Sequence, residues 1–244
     1  MTKSLRRPPS CALIVFLLCS GLAGAQQKTV TAAVAIAHGN KAKSHDASNV
    51  VLWLTPVESI MPPPTPVSEP SSRPRLVQRN KSFEPHVLVV RVGSLVQFPN
   101  RDPFFHNVFS LFEGKRFDLG LYEAGSTRDV LFDKPGISYI FCNIHAEMSA
   151  VVIALTTPYY GISDRRGQVL IPNVAPGRYI LHVWYEAALP DTLSAMAREV
   201  RISDTTSTLG TLRVPASHLP QEHKNLYGRD YTPPAPASPT YEHP

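Results

Sequence analysis

The chain has 244 residues, 43% of them hydrophobic and 18% charged, a composition that supplies a core and excludes a wholly disordered or fibrous protein. Its 24 prolines outnumber its 13 glycines and fall in clusters, which argues against long helices and for an all-β scaffold with structureless inserts. The net charge of +5 invites a polyanion partner, but three of the 24 basic residues lie in a segment read below as removed; against 19 acidic residues that leaves about +2, so no nucleic-acid partner is expected.

Residues 1–25 read as an export signal. Lys3, Arg6 and Arg7 form the basic start, Ala12 to Leu18 the apolar run and Ala23-Gly24-Ala25 the small-residue cleavage site. That run is too short to span a bilayer comfortably, so no stable membrane insertion is expected after cleavage. Cys11 and Cys19 leave with the signal, and Cys142 remains alone in an oxidising compartment, where no internal disulfide is possible.

Residues 26–60 hold two expected strands, Val30 to His38 and Val50 to Pro56. Residues 61–75 carry Pro62, Pro63, Pro64, Pro66, Pro70 and Pro74 among serines and read as an exposed extended insert. Residues 76–155 contain a series of short strands divided by turns such as Gly93-Ser94 and Pro135-Gly136, the pattern of a Greek-key sandwich. Residues 156–214 hold further strands; a unit of roughly 60 residues is small for an independent core and is expected to pack on the first. Residues 215–244, with Pro233-Pro234-Ala235-Pro236 and few apolar side chains, read as a disordered tail.

Chemistry concentrates in Cys142-Asn143-Ile144-His145-Ala146-Glu147-Met148. A tight loop can turn the thiol, the imidazole and the thioether toward one point, and His106 offers a second imidazole upstream. Two His nitrogens, one Cys sulfur and a weak axial Met form the ligand set of a mononuclear electron-transfer copper site. Zinc gains little from a thioether. The same residues also admit plainer roles: an inert buried thiol at Cys142, core filling at Met148, or Glu147 as a harder ligand. His86 reads as structural, and His38, His45, His182, His218, His223 and His243 have no ligand spacing. No Ser-His-Asp arrangement, phosphate loop or paired-carboxylate motif stands out.

The segment from Val90 through Val92-Gly93, Val96, Phe98, Asn100 and Asp102 to His106-Asn107-Val108 resembles the strand that leads to the first histidine ligand in the cupredoxins, the blue copper proteins. The resemblance covers Val87 to Leu155. It implies one type 1 copper held by His106, Cys142, His145 and Met148, with Asn107 tying the ligand loop. The whole chain more nearly resembles exported bacterial cupredoxin-like proteins of the methylamine utilization group. Gly167 to Tyr179 resembles the turn framework of the carboxypeptidase regulatory-like, or transthyretin-like, sandwich, which carries no chemistry.

The implied function is one-electron transfer in the periplasm, without enzymatic activity, to or from a redox protein such as a periplasmic cytochrome. A copper carrier or store, or an interaction module on the same fold, would keep the same residues. Pro103, Phe104, Phe105 and Ala146 are expected to form an apolar collar around His145 suited to transient docking. One departure from the family concerns Tyr139 and Phe141. Alternation puts both on the face opposite Cys142, so that face is expected to be covered by the second unit or by the N-terminal strands.

Overall fold

The structure, a computed structural model, describes residues 27–38, 46–58, 73–111, 114–217 and 223–231. The export signal and most of the proline-rich insert lie outside the described residues. Among the described residues no helix is long and apolar enough to cross a membrane.

Among the described residues the chain is all-β apart from one short helix, as its prolines and short apolar runs predict. In order come β1 (Lys28–His38), β2 (Val51–Pro56), β3 (Val77–Arg79), β4 (Ser82–Glu84), β5 (Val87–Arg91), β6 (Ser94–Pro99), β7 (His106–Ser110) and β8 (Phe117–Tyr122). They are followed by β9 (Thr127–Phe132), β10 (Gly136–Cys142), β11 (Ser149–Leu155), β12 (Tyr160–Ile162), β13 (Gln168–Val174), β14 (Gly177–Trp184), α1 (Pro190–Ala195), β15 (Arg198–Ile202) and β16 (Thr208–Ala216).

The middle of the chain forms one sandwich. A sheet in the order β5-β11-β10-β7-β8 faces the pair β6-β9, with the hairpin β3-β4 alongside. Between them Val96, Phe98, Val130 and Phe132 pack with Val90, Val108, Ile140 and Val152. The first two strands and the last five form the other sandwich, with sheets β13-β1-β16 and β12-β2-β14-β15. β1 runs parallel to β16, and β2 pairs antiparallel with both β12 and β14. The second unit packs on the first, as expected, but it is not residues 156–214 alone. β1 and β2 supply inner strands of its two sheets, and the middle sandwich is inserted between β2 and β12.

β11 explains how the two halves meet. Its sequence, Ser-Ala-Val-Val-Ile-Ala-Leu, is a continuous apolar run without alternation, and it is buried from Ala150 to Leu155. Such a run belongs to a strand covered on both faces. Ala150, Val152 and Ala154 point into the middle sandwich, while Val151, Ile153 and Leu155 join the cluster of the terminal sandwich. Ile137 and Tyr139 of β10 pack against that same cluster, so the expected cover over the outer face is present along these residues.

Two segments depart from the sequence reading. Pro74 and Arg75, placed in the insert, lie along β6: the Pro74 carbonyl accepts from the Gln97 N–H at 2.9 Å, and Arg75 pairs with Gln97. Pro215 and Ala216, placed in the tail, continue β16 beside β1. Residues 223–231, also assigned to the tail, pack against the Cys142 loop.

Candidate metal centre

β7 and β10 bring the site together by register. Cys142, the last residue of β10, lies opposite Val108, and His106 is two residues before Val108 at the start of β7. The two-residue period of a strand then puts the His106 and Cys142 side chains on the same inward face. Loop residues 143–148 turn back over this end. The Cys142 N–H donates to the Met148 carbonyl at 3.2 Å, and the Met148 N–H donates to the His145 carbonyl at 3.1 Å. The Asn143 N–H is tied to the Asn107 carbonyl at 2.8 Å.

The result is a compact group of soft and borderline donors. Cys142 Sγ lies 3.6 Å from His106 Nδ1 and 3.5 Å from His145 Nδ1. Ligand atoms of the three residues all fall within 4.8 Å of one another, and all three residues are buried. Met148 is fully buried in the same apolar cluster as Cys142.

His106 is held in one tautomer by Asp102. Its Nε2 lies 2.9 Å from Asp102 Oδ2, and a carboxylate can only accept, so Nε2 carries the proton and Nδ1 turns its lone pair toward Cys142. A carboxylate behind a histidine donor fixes ring orientation and raises its basicity. Asp102 is anchored in turn. The Asn80 and Lys81 N–H groups donate to its two oxygens at 2.5 and 3.1 Å. Both donors sit in the β3-β4 turn with φ of 53°. Asn100 shapes the approach by accepting from the Asp102 N–H at 3.0 Å and donating to the Phe104 carbonyl at 2.8 Å, an Asx turn.

The electrostatics favour neutral donors. Burial pushes His145 down to about 4, helped by the neighbouring His106. Burial also lowers His106, with Asp102 acting in the opposite direction. Both imidazoles are therefore uncharged near neutral pH. The Cys142 thiol is pushed up by burial, against the N–H groups of Ile144, Asn107 and His145. A thiolate there needs a positive charge beside it, and a metal that binds it displaces the proton. A buried set of two neutral imidazoles and one thiol fits a borderline-to-soft metal ion.

The structure thus brings together His106, Cys142 and His145 as the spacing suggests, with Met148 buried beside them. Asn107 does bond to the ligand loop, through its backbone, while its side chain donates to Asp118 Oδ1 at 2.8 Å. Phe104 packs against the rings of His106 and His145 at 5.3 and 5.5 Å, whereas Phe105 points outward and is 53% exposed. His182 stacks on Trp53, away from the donors. Asp102 has no role of its own in the sequence reading, and its contact with His106 emerges only from the structure. His223, read as lacking a role, lies on the ligand loop.

No family model and no curated protein sequence matches the chain. Among solved structures, the copper-containing nitrite reductase of Thermus scotoductus SA-01 aligns at 24% identity, covering 34% of this chain and 22% of the enzyme, with a TM-score of 0.33. A purple cupredoxin of Nitrosopumilus maritimus aligns at 20% identity over 34% of this chain and 99% of its own length, TM-score 0.31. A reduced amicyanin variant aligns at 19% over 35% and 84%, TM-score 0.33. The chain spans about a fifth of the nitrite reductase, the first of these.

Proposed function

We propose that this protein carries single electrons outside the cytoplasm, in the periplasm, through one mononuclear type 1 copper held by His106, Cys142 and His145 with Met148 as the axial donor, and that it acts as a carrier rather than an enzyme. The observation behind this reading is the convergence of two neutral imidazole nitrogens on one buried thiol. Copper bound there would supply the one-electron step between Cu(I) and Cu(II), with sulfur favouring the reduced ion and imidazole serving both. The chain contributes the rest. Asp102 orients His106, burial keeps water from the donors, and anchoring on two paired strands holds the geometry fixed as charge changes.

The proposed partner is a redox protein such as a periplasmic cytochrome. Phe105, exposed beside His106, and the exposed Pro103 and Ala146 would offer it a small apolar contact, with the Phe104 ring between that surface and both imidazoles. Weak docking of this kind releases quickly.

Adding Cu(II) to the purified protein tests the reading. The expected result is one copper per chain with an intense thiolate-to-copper band in the visible. Cys142→Ser should abolish the band, because a hydroxyl is a poor ligand for so soft a site. Retained colour and stoichiometry in that variant would overturn the ligand assignment.

A further inference from the structure

Residues 223–231 form an organised loop rather than a trailing end. Asn225 Oδ1 accepts from the N–H groups of Tyr227 and Arg229, both at 3.0 Å. The Gly228 N–H donates to the Asn225 carbonyl and the Asn225 N–H to the Arg229 carbonyl, each at 2.9 Å. Gly228 has φ of +72°, a conformation glycine adopts without steric cost. Lys224 pairs with Asp230 across the loop. A segment with this much internal bonding loses less entropy on docking than a flexible chain would.

It meets the end of β10 and the loop that follows through several contacts. The Tyr231 hydroxyl donates to the Cys142 carbonyl at 2.6 Å. The Leu226 N–H donates to Asn143 Oδ1 at 2.8 Å. The His223 ring stacks on Phe141 with centroids 4.1 Å apart and planes 26° from parallel. The donors are consistent among themselves. Tyr231 gives its single proton to a carbonyl, so its oxygen accepts from His223 Nδ1 at 3.0 Å, which requires the proton of His223 on Nδ1.

We infer that residues 223–231 are a clasp that holds the ligand loop closed, with Tyr231 the residue that positions the Cys142 backbone, and that its release sets how fast Cys142 can be reached by metal or by a thiol reagent. Cys142 is fully buried, so any reagent must wait for the loop to open, and its rate follows the open population. Each contact made only in the closed state lowers that population. The thiol part of the inference holds whatever metal the site takes; the metal-exchange part rests on the reading of the site given above.

The test is alkylation of Cys142 by iodoacetamide in the metal-free full chain, followed by chelator extraction of copper from the loaded protein. Tyr231→Phe keeps the ring and removes one hydrogen bond, and is expected to speed alkylation about fivefold. Tyr231→Ala combined with His223→Ala should speed it further and accelerate copper loss in parallel. Tyr227→Ala, on the same loop but 75% exposed, should leave both rates unchanged. Hydrogen exchange serves as the folding control: amides of residues 143–145 should lose protection while those of β16 keep it. An unchanged alkylation rate in the double variant overturns the clasp, even if copper still binds. A faster rate in a protein that takes up no copper supports the clasp and overturns the copper reading instead.

Discussion

At the residue scale, the centre depends on which nitrogen of His106 faces inward, and Asp102 settles that. Asp102→Asn keeps the volume but replaces a carboxylate with an amide that has only one acceptor oxygen for its several donors. Copper affinity is expected to fall about 10- to 100-fold, measured by competition with a chromophoric chelator; an unchanged affinity would show that His106 needs no carboxylate behind it. Met148→Leu, which conserves volume in a fully buried position, should leave copper bound but raise its reduction potential, because losing a weak axial donor favours Cu(I). Cyclic voltammetry reads that shift, and an unchanged potential removes Met148 from the ligand set. The three donors His106, Cys142 and His145 were legible as candidates because their chemistry is rare and two of them lie three residues apart. Asp102 was not, because an aspartate in a turn is so common that its own turn explains it.

At the element scale, β10 carries a different neighbour along each stretch of its outer face. Ile137 and Tyr139 meet the terminal sandwich, and Phe141 meets His223. Alternation made it legible that this face needed a cover. It did not say which segment supplies it, since a covering contact has no period in the sequence. β4 and β8 were harder to read: β4 has only three residues, too few for a period, and β8 alternates at Phe117, Leu119 and Leu121 but carries Gly120 at φ of +65°, a residue that reads as a turn. β11, buried on both faces, is the element whose packing joins the two sandwiches. Ile153→Ala there should cost about 2–5 kcal/mol by removing methyl groups from a full core. Urea unfolding measures it, and a loss below that range would mean the joint relaxes around the missing volume.

At the scale of the whole molecule, the middle sandwich is inserted in sequence between strands of the terminal one, and the parallel pairing of β1 with β16 joins the first and last strands. Most of the strands were legible, while the pairing of Thr31 with Thr208 and its neighbours, far apart in sequence, was not, since periodicity reports faces and never partners. Polar ties span the joint beside the apolar one, and one of them is ionic. His86, just before β5, places Nε2 at 2.6 Å from Glu186 Oε2, beyond β14, and Nδ1 at 3.2 Å from the Ser149 carbonyl. Both partners only accept, so both ring nitrogens must donate and the bonded form is the imidazolium. Accordingly Glu186 raises the His86 pKa above its ordinary 6.5, against burial. A group whose folded pKa lies above its unfolded value contributes its full stability below the unfolded pKa and loses it as pH rises through the folded one. The melting temperature should therefore exceed that of Glu186→Gln most just below about pH 6.5, where the imidazole is charged. The gap should close as His86 deprotonates above that window. His86→Gln should show the same profile, because either substitution removes the same pair. A gap that stays constant from acid to alkaline pH would mean that Glu186 supports the joint through packing and that the charge on His86 contributes nothing to it.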